Sequence, residues 1–226
     1  MFVRLAGCNI GAKEDCKWCD TAFAFDTATL TTGDALLKAI GCHPQARVVV
    51  FTGGEPMLQW RTLLPILRTL KRHKPGLIFQ METNGMLIRA EHIDAFREVG
   101  MHVVVSPKIA HNKGIYSTWP IYRLWHPRDV RDSTCYFKYV VSADRNSDYH
   151  YLSGEAGTLF QMGFTVFVSG MTAYKRAPLD GEVPNVWNTD LVDHYETAAN
   201  YAHAARVALE HGFNVSYQSH LFGNVQ

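Results

Sequence analysis

Three of the five cysteines lie close together, at Cys8, Cys16 and Cys19. Cys16 and Cys19 are near enough in sequence to bind one metal site together, and the longer loop before them allows Cys8 to reach it. A structural zinc site would need a fourth ligand, such as His43. A redox C-x-x-C pair would leave Cys8 without a role. A [4Fe–4S] cluster on three thiolates would leave one iron open to a further ligand.

The composition is that of an ordinary globular chain. It has 226 residues, 47% of them hydrophobic, and a formal net charge of +1. This balance gives no reason to expect a nucleic-acid partner. No apolar run approaches the roughly 20 residues that span a bilayer, and residues 1–5 do not resemble a signal peptide. An odd number of cysteines disfavours a disulfide framework, so we expect a reducing, cytoplasmic location and no membrane.

Short apolar or β-branched runs alternate with segments of helical periodicity, which predicts an α/β fold with mostly parallel strands. The predicted strands are Phe2–Ala6, Arg47–Phe51, Leu77–Glu82, His102–Val105, Tyr136–Val141, Phe164–Val168 and Phe213–Tyr217. The predicted helices are Met57–His73, Glu91–Val99 and Leu191–His211. Val48–Phe51 and Val103–Val105 are apolar throughout, which is typical of strands buried on both faces. Residues 1–226 are expected to form one domain, with an irregular insertion at 109–134. Cys42 and Cys135 stand apart from the cluster and are expected to be small buried side chains.

Polar and glycine residues follow nearly every predicted strand. They are Gly7-Cys8-Asn9, Thr52-Gly53-Gly54-Glu55-Pro56, Thr83-Asn84-Gly85, Ser106-Pro107-Lys108, Ser142, Ser169, and finally Gln218 and His220. Parallel strands place their carboxyl ends at one edge of the sheet, and ligands bind at that edge. The sequence therefore predicts a single face that carries a cofactor.

These segments, in this order, resemble the 7-carboxy-7-deazaguanine synthases, a family of radical S-adenosylmethionine (SAM) enzymes. The residues that carry the resemblance are Phe2–Asn9, Cys16–Thr21, Thr52–Pro56, Glu82–Gly85, Ser106–Lys108 and Gln218-x-His220. The resemblance runs along the whole chain and is densest in residues 1–142. It implies a partial (β/α) barrel of the radical SAM type.

The resemblance also implies a reaction. SAM bound to the open iron of a [4Fe–4S] cluster is cleaved by one electron, and the radical takes hydrogen from 6-carboxy-5,6,7,8-tetrahydropterin. Ring contraction then gives 7-carboxy-7-deazaguanine and ammonia, assisted by Mg²⁺. The partners would be the pterin substrate and an external electron donor of the flavodoxin or ferredoxin type. Whether the chain forms a homodimer is left open.

Residue roles follow from the same resemblance. Cys8, Cys16 and Cys19 would bind the cluster, and Thr21 would bind Mg²⁺ with Asp20 orienting its surroundings. Glu55 would receive the ammonium group of SAM. The other SAM-binding residues would be Trp18, Gly54, Glu82, Asn84, Ser106, Pro107, Lys108 and Ser169. Substrate would be held by Arg4, Thr52, His220 and the carboxylate of Gln226.

Three features depart from the family pattern. The gap between Cys8 and Cys16 is longer than in common members. The chain also begins at the first barrel strand, where the family has an earlier substrate-binding segment, so we expect either a misplaced start or a shortened enzyme. Ser169-Gly170-Met171 lacks the Gln-Pro of the family.

Two other functions are considered. One is another small radical SAM enzyme, such as a glycyl-radical activase, which the Cys19-Asp20-Thr21 motif and the Gln218-x-His220 ending disfavour. The other is a non-catalytic iron–sulfur or zinc-binding protein.

Overall fold

In the part of the chain that the structure describes, seven parallel strands form one sheet in which the strand order follows the chain order. The computed structural model describes residues 1–10, 16, 19–21, 24, 31–108, 134–176 and 191–218. The strands are β1 Phe2–Leu5, β2 Val48–Gly53, β3 Ile78–Thr83, β4 Met101–Val105, β5 Cys135–Val141, β6 Thr165–Gly170 and β7 Asn214–Ser216. Each of the seven predicted strands is confirmed, as is the α/β class.

The helices are α1 Gly33–Gly41, α2 Trp60–His73, α3 Ala90–Val99, α4 Gly154–Gln161 and α5 His194–His211. A 3-10 turn, Pro56–Gln59, leads into α2, so the predicted helix from Met57 is divided in two. The short helices α1 and α4 were not predicted. Two glycines lower the helix propensity of α4, but its Ala156 and Leu159 are buried in packing that outweighs this cost. No helix in the described ranges is long and apolar enough to cross a bilayer.

One face of the sheet is covered by the helices. Alternate strand residues such as Phe51, Phe79 and Phe137 are fully buried in the same cluster as Leu67 and Phe96 from the helices. Right-handed crossovers between neighbouring strands in sequential order place successive helices on the same face, and the sheet curves away from them. The result is an open, partial barrel, with β1 and β7 at its two edges.

The opposite face of the sheet is less buried and more polar. Val50 is buried there, but Val48 and Val104 are only half-buried, so the predicted burial on both faces is incomplete for both β2 and β4. Among the isolated cysteines, Cys135 is buried as predicted. The prediction for Cys42 is wrong, because Cys42 follows the last residue of α1 and is exposed. Apart from Thr134, the predicted insertion at 109–134 lies outside the described residues.

Candidate active site at the carboxyl edge of the sheet

The three clustered cysteines all lie beyond the carboxyl end of β1. Cys8 is three residues past the end of the strand, and all three side chains are half-buried. A backbone hydrogen bond of 3.2 Å from Cys19 N to Cys16 O closes a turn between the second and third cysteines. The two thiols interact, and the hydrogen bond with Cys16, followed by burial, raises the pKa of Cys19. The structure therefore places Cys16 and Cys19 as a pair of interacting thiols.

His43 is too far away to complete a zinc site with these cysteines. It lies beside Met1 and Ala46, next to the amino-terminal end of β2, whereas the cysteines follow the carboxyl end of β1. Within the described ranges, no three His, Cys, Asp or Glu side chains converge on a single ion. A [4Fe–4S] cluster does not require such convergence, since each cysteine binds a different iron.

The glycine pair at the end of β2, Gly53 and Gly54, packs directly against the segment that leads to Cys8. Gly54 N donates to Leu5 O at 2.9 Å, and Glu55 N donates to Gly7 O at 2.7 Å. A Cβ atom on Gly54 would lie 1.9 Å from Gly7 O. Gly53 has a φ of 122°, a conformation that favours glycine, and its Cβ would lie 2.1 Å from Leu5 O. The two glycines allow the backbone of this turn to approach the backbone of Leu5 and Gly7. This contact fixes the start of the segment after β1 that carries Cys8, Cys16 and Cys19, here called the cysteine loop.

The Glu55 carboxylate is fully buried and joins the loops that follow β2 and β3. Its Oε1 accepts hydrogen bonds from Met57 N at 3.0 Å and from the Thr83 hydroxyl at 2.7 Å. Its Oε2 accepts from Asn84 N at 2.8 Å. Burial raises the pKa of Glu55, and these hydrogen bonds counteract the rise only in part. Three protein donors thus already occupy the group that was predicted to receive the SAM ammonium.

Asn84 extends the same network to the cysteine loop. Its side-chain amide donates to the Asn9 side-chain oxygen at 2.8 Å, and its own oxygen accepts from Met86 N at 3.0 Å. Asn9 directly follows Cys8, so the loops after β1, β2 and β3 are hydrogen-bonded to one another. Asn9 was part of the quoted motif but received no predicted role.

Lys108, which follows β4, brings a positive charge to the cysteines. Its ammonium donates to the hydroxyl of the buried Ser106 at 3.3 Å. Burial alone would lower the pKa of Lys108, but the nearby Cys16, Cys19 and Asp20 outweigh it and raise the pKa. Pro107 between them is buried. A cation in this position favours the thiolate form that metal binding requires.

Thr21 and Asp20 form a second polar cluster next to Cys19. The Thr21 hydroxyl donates to Asp20 Oδ1 at 2.8 Å and lies 3.8 Å from Cys19 Sγ. Asp20 Oδ2 accepts from the Gln218 side chain, just beyond β7, at 2.9 Å. Burial would raise the pKa of Asp20, but the hydrogen bonds from Gln218 and Thr21, with Lys108 and Lys138 nearby, lower it.

The helix-free face of the sheet carries further polar side chains. Arg4 on β1 and Thr52 on β2 are aligned in register, with Arg4 exposed and Thr52 half-buried. On β3, Glu82 forms an ion pair of 2.5 Å with Lys138 of β5 and accepts a hydrogen bond from Gln80. Sequence analysis missed Lys138, although a lone lysine in an apolar strand was a usable signal.

The remaining predicted site residues differ in their surroundings. Ser169 is buried, and its side chain forms a hydrogen bond with the Tyr201 hydroxyl. Trp18, His220 and Gln226 lie outside the described residues, so their predicted roles stay predictions.

The radical SAM superfamily model matches residues 3–137, which is more than half of the chain. The chain belongs to the radical SAM superfamily. The cofactors of this superfamily are a [4Fe–4S] cluster and SAM.

Curated relatives of this radical SAM chain include proteins named 7-carboxy-7-deazaguanine synthase. The one from Bordetella pertussis is 38% identical, over 48% of this chain and 53% of that protein. The one from Hyperthermus butylicus is 37% identical, over 48% of this chain and 43% of that protein. The chain thus spans about half the length of the curated relatives that it matches.

Solved structures support the fold of this radical SAM chain. Streptococcus suis SuiB aligns with a TM-score of 0.60 and 13% identity, over 98% of this chain and 50% of that one. A structure of anSMEcpe with bound AdoMet and a Cp18Cys peptide aligns with a TM-score of 0.57 and 15% identity, over 95% of this chain and 62% of that one. The partial barrel is confirmed.

The described residues fit the superfamily's cofactors. Cys8, Cys16 and Cys19 carry the soft sulfur atoms that an iron–sulfur cluster needs; Cys16 and Cys19 interact with each other, and the Lys108 ammonium lies near both. The backbone turn at Gly53 and Gly54 and the polar ends of β3 and β4 lie at the same edge of the sheet.

Proposed function

We propose that this chain converts 6-carboxy-5,6,7,8-tetrahydropterin into 7-carboxy-7-deazaguanine and ammonia, with a [4Fe–4S] cluster, SAM and Mg²⁺. The observation that carries the proposal is the hydrogen-bonded set of loops after β1, β2 and β3, in which Glu55 and Asn84 bind Gly7 and Asn9, the residues on either side of Cys8. The relatives named 7-carboxy-7-deazaguanine synthase support the choice of reaction within the superfamily.

Cys8, Cys16 and Cys19 hold the cluster in this proposal. The cluster, when bound, supplies the electron that cleaves SAM to a 5′-deoxyadenosyl radical. Lys108 offsets part of the negative charge of the thiolates. Glu55 joins Met57 to the end of β3 through three protein hydrogen bonds, and a carboxylate with about four acceptor sites keeps one for the SAM ammonium.

SAM binds at the polar ends of β2, β3, β4 and β6. The residues assigned to it are Trp18, Gly54, Glu55, Glu82, Asn84, Ser106, Pro107, Lys108 and Ser169. Buried polar groups at Asn84 and Ser106 supply hydrogen-bonding capacity at this edge. Such groups orient a ligand when they pair with it in a site that excludes water.

Substrate binds against the helix-free face of the sheet. Arg4 suits the substrate carboxylate, because a guanidinium can make two parallel hydrogen bonds to it, and Thr52 lies beside Arg4 in register. The Glu82–Lys138 pair adds polar groups deeper in the same face. His220 and the carboxylate of Gln226 complete the substrate contacts in this proposal.

Thr21 is the proposed protein ligand of Mg²⁺. Mg²⁺ retains waters and takes oxygen ligands from substrate, so one neutral hydroxyl from the protein suffices. The hydrogen of the Thr21 hydroxyl is directed to Asp20, and the oxygen, which also accepts from the Cys19 thiol at 3.8 Å, keeps a lone pair for a cation.

The partners in this proposal are the pterin and an external electron donor of the flavodoxin or ferredoxin type, and a homodimer is one possible assembly. A cytoplasmic location accords with five cysteines that form no disulfide. Residues 1–226 act as one domain.

The test is an anaerobic assay of the reconstituted protein with SAM, dithionite, Mg²⁺ and 6-carboxy-5,6,7,8-tetrahydropterin. We expect 7-carboxy-7-deazaguanine and ammonia in equal amounts, with SAM unconsumed over many turnovers. An activase for another protein would leave the pterin unchanged, and that result would refute the proposal. The matched control is Cys16→Ala, which should form no product.

A further inference from the structure

A hydrogen bond joins the two edges of the open sheet. Gln218, just after edge strand β7, donates from Nε2 to Oδ2 of Asp20, in the cysteine loop after edge strand β1, at 2.9 Å. The two residues are 198 positions apart in sequence. This single contact therefore links the end of the last strand to the residue that follows Cys19.

The amide of Gln218 is oriented by its other contacts. Its Oε1 accepts from the Tyr201 hydroxyl at 3.3 Å and from the Thr172 hydroxyl at 3.4 Å. Its backbone N donates to the Tyr201 oxygen at 3.2 Å. Tyr201 and Thr172 are both buried. With its oxygen facing these hydroxyl groups, Gln218 must present its NH₂ group to Asp20.

The orientation of the Asp20 carboxylate in turn fixes the direction of the Thr21 hydroxyl. One carboxylate oxygen is taken by Gln218, so the other is fixed where the Thr21 hydroxyl donates to it at 2.8 Å. A hydroxyl that ligates a cation must direct its hydrogen away from the ion, and a partner that accepts this hydrogen orients the ligand.

We propose that Gln218 is a positioning residue for the divalent cation site, acting through Asp20 on the hydroxyl of Thr21. The Gln218–Asp20 contact also holds the cysteine loop against the far edge of the sheet. This inference rests on the Mg²⁺ role proposed for Thr21.

The test compares Gln218→Glu with the wild type. The new carboxylate can still accept from Tyr201 and Thr172, but it faces Asp20 without a hydrogen to donate. We expect the Mg²⁺ concentration for half-maximal turnover to rise about tenfold, while kcat at saturating Mg²⁺ changes less than about twofold. In the metal-free protein, amide hydrogen exchange should become faster in the peptide that contains Cys19 and Thr21.

A second variant restores the hydrogen bond between positions 20 and 218 with the donor and the acceptor exchanged. In Asp20→Asn/Gln218→Glu the side chain at position 20 donates to the side chain at position 218, and its oxygen still accepts from Thr21. We expect both readouts to return most of the way to the wild-type values. The matched control is Gln161→Glu, the same change at an exposed residue at the end of α4, which should alter neither readout.

The outcomes separate this inference from the proposed function. If the wild type depends on Mg²⁺ but Gln218→Glu matches the Gln161→Glu control, the inference is wrong and the function stands. It is also wrong if the double variant behaves no better than Gln218→Glu. Wild-type turnover that needs no Mg²⁺ overturns both this inference and the role of Thr21. If the wild type does not convert the pterin at all, the proposed function fails, and hydrogen exchange alone decides whether Gln218 holds the loop.

Discussion

At the scale of single residues, the cysteines differ in ways that their sequence spacing does not reveal. Cys16 and Cys19 interact as a pair beside Lys108, whereas Cys42 is exposed after α1. The environment of a cysteine decides its reactivity as a ligand, because the thiolate is the form that binds metal. Cys16 and Cys42 therefore provide a matched pair for mutation.

Cys16→Ala should abolish the visible absorption of the reconstituted cluster. The two remaining thiolates leave a second iron without a protein ligand, so the cluster is lost to solvent and chelators. The measurement is the absorbance near the cluster band, per chain, after anaerobic reconstitution and desalting. Cys42→Ala should retain the full absorption. A Cys16→Ala protein with undiminished absorption would contradict the ligand assignment.

At the scale of elements, the turn at the end of β2 positions the cysteine loop through backbone contacts, and this role is additional to any contact with a ligand. Gly53 and Gly54 lie against the backbone of Leu5 and Gly7, and Glu55 is held by Thr83 and Asn84. The carboxyl ends of three strands are thus joined to one another by hydrogen bonds. Sequence analysis identified the motif but could not show which backbone it approaches.

Gly54→Ala should destabilise the protein by about 3 kcal/mol or more, because the new Cβ would overlap Gly7 O and force β1 away from the turn. The measurement is urea unfolding of the metal-free protein. Gly157→Ala is the matched control, since a Cβ on this residue of α4 meets nothing within 4 Å. It should stabilise the protein by about 0.5–1 kcal/mol, through helix propensity. Equal effects of the two substitutions would show that the turn does not pack as described.

The start of α3 should make stability depend on pH. His92 Nδ1 accepts a hydrogen bond from Arg89 N at 2.9 Å, and burial lowers the pKa of His92. A lowered pKa means that the unfolded chain takes up a proton first, so the contribution of His92 is present above about pH 6.5 and is lost as the pH falls. We expect the wild type to lose more unfolding free energy between pH 7.5 and pH 5 than His92→Gln does.

Glutamine at this position retains a side-chain acceptor that does not titrate. The control is His73→Gln, at an exposed residue at the end of α2, which should leave the wild-type difference between the two pH values unchanged. A His92→Gln protein with the same pH response as the wild type would rule out this role of the capping histidine.

At the scale of the whole molecule, the sheet follows directly from the pattern of the chain. Each run of β-branched and apolar residues forms a strand, because burial against the helices requires it, and sequential order with right-handed crossovers yields the partial barrel. The ends of the strands could therefore be assigned to one edge from sequence alone. The helix α4 could not be predicted from sequence, because its glycines have low helix propensity and tertiary packing stabilises it.

Contacts between segments distant in the chain could not be predicted from the sequence. Lys138 pairs with Glu82 across the intervening β4, and Gln218 reaches Asp20 from the opposite edge of the sheet. Both contacts depend on how far the sheet curves, which local residue patterns do not encode. The motif Cys19-Asp20-Thr21 indicated a cation site, but the residue that holds Asp20 emerged only from the fold.

The central claim is that the carboxyl edge of this sheet holds a [4Fe–4S] cluster with one iron open to SAM. The most direct measurement is iron and sulfide analysis of the anaerobically reconstituted protein, combined with electron paramagnetic resonance of the reduced form with and without SAM. We predict about four irons and four sulfides per chain, and a spectrum that changes when SAM is added. One zinc per chain with no iron, or a cluster spectrum indifferent to SAM, would contradict the claim.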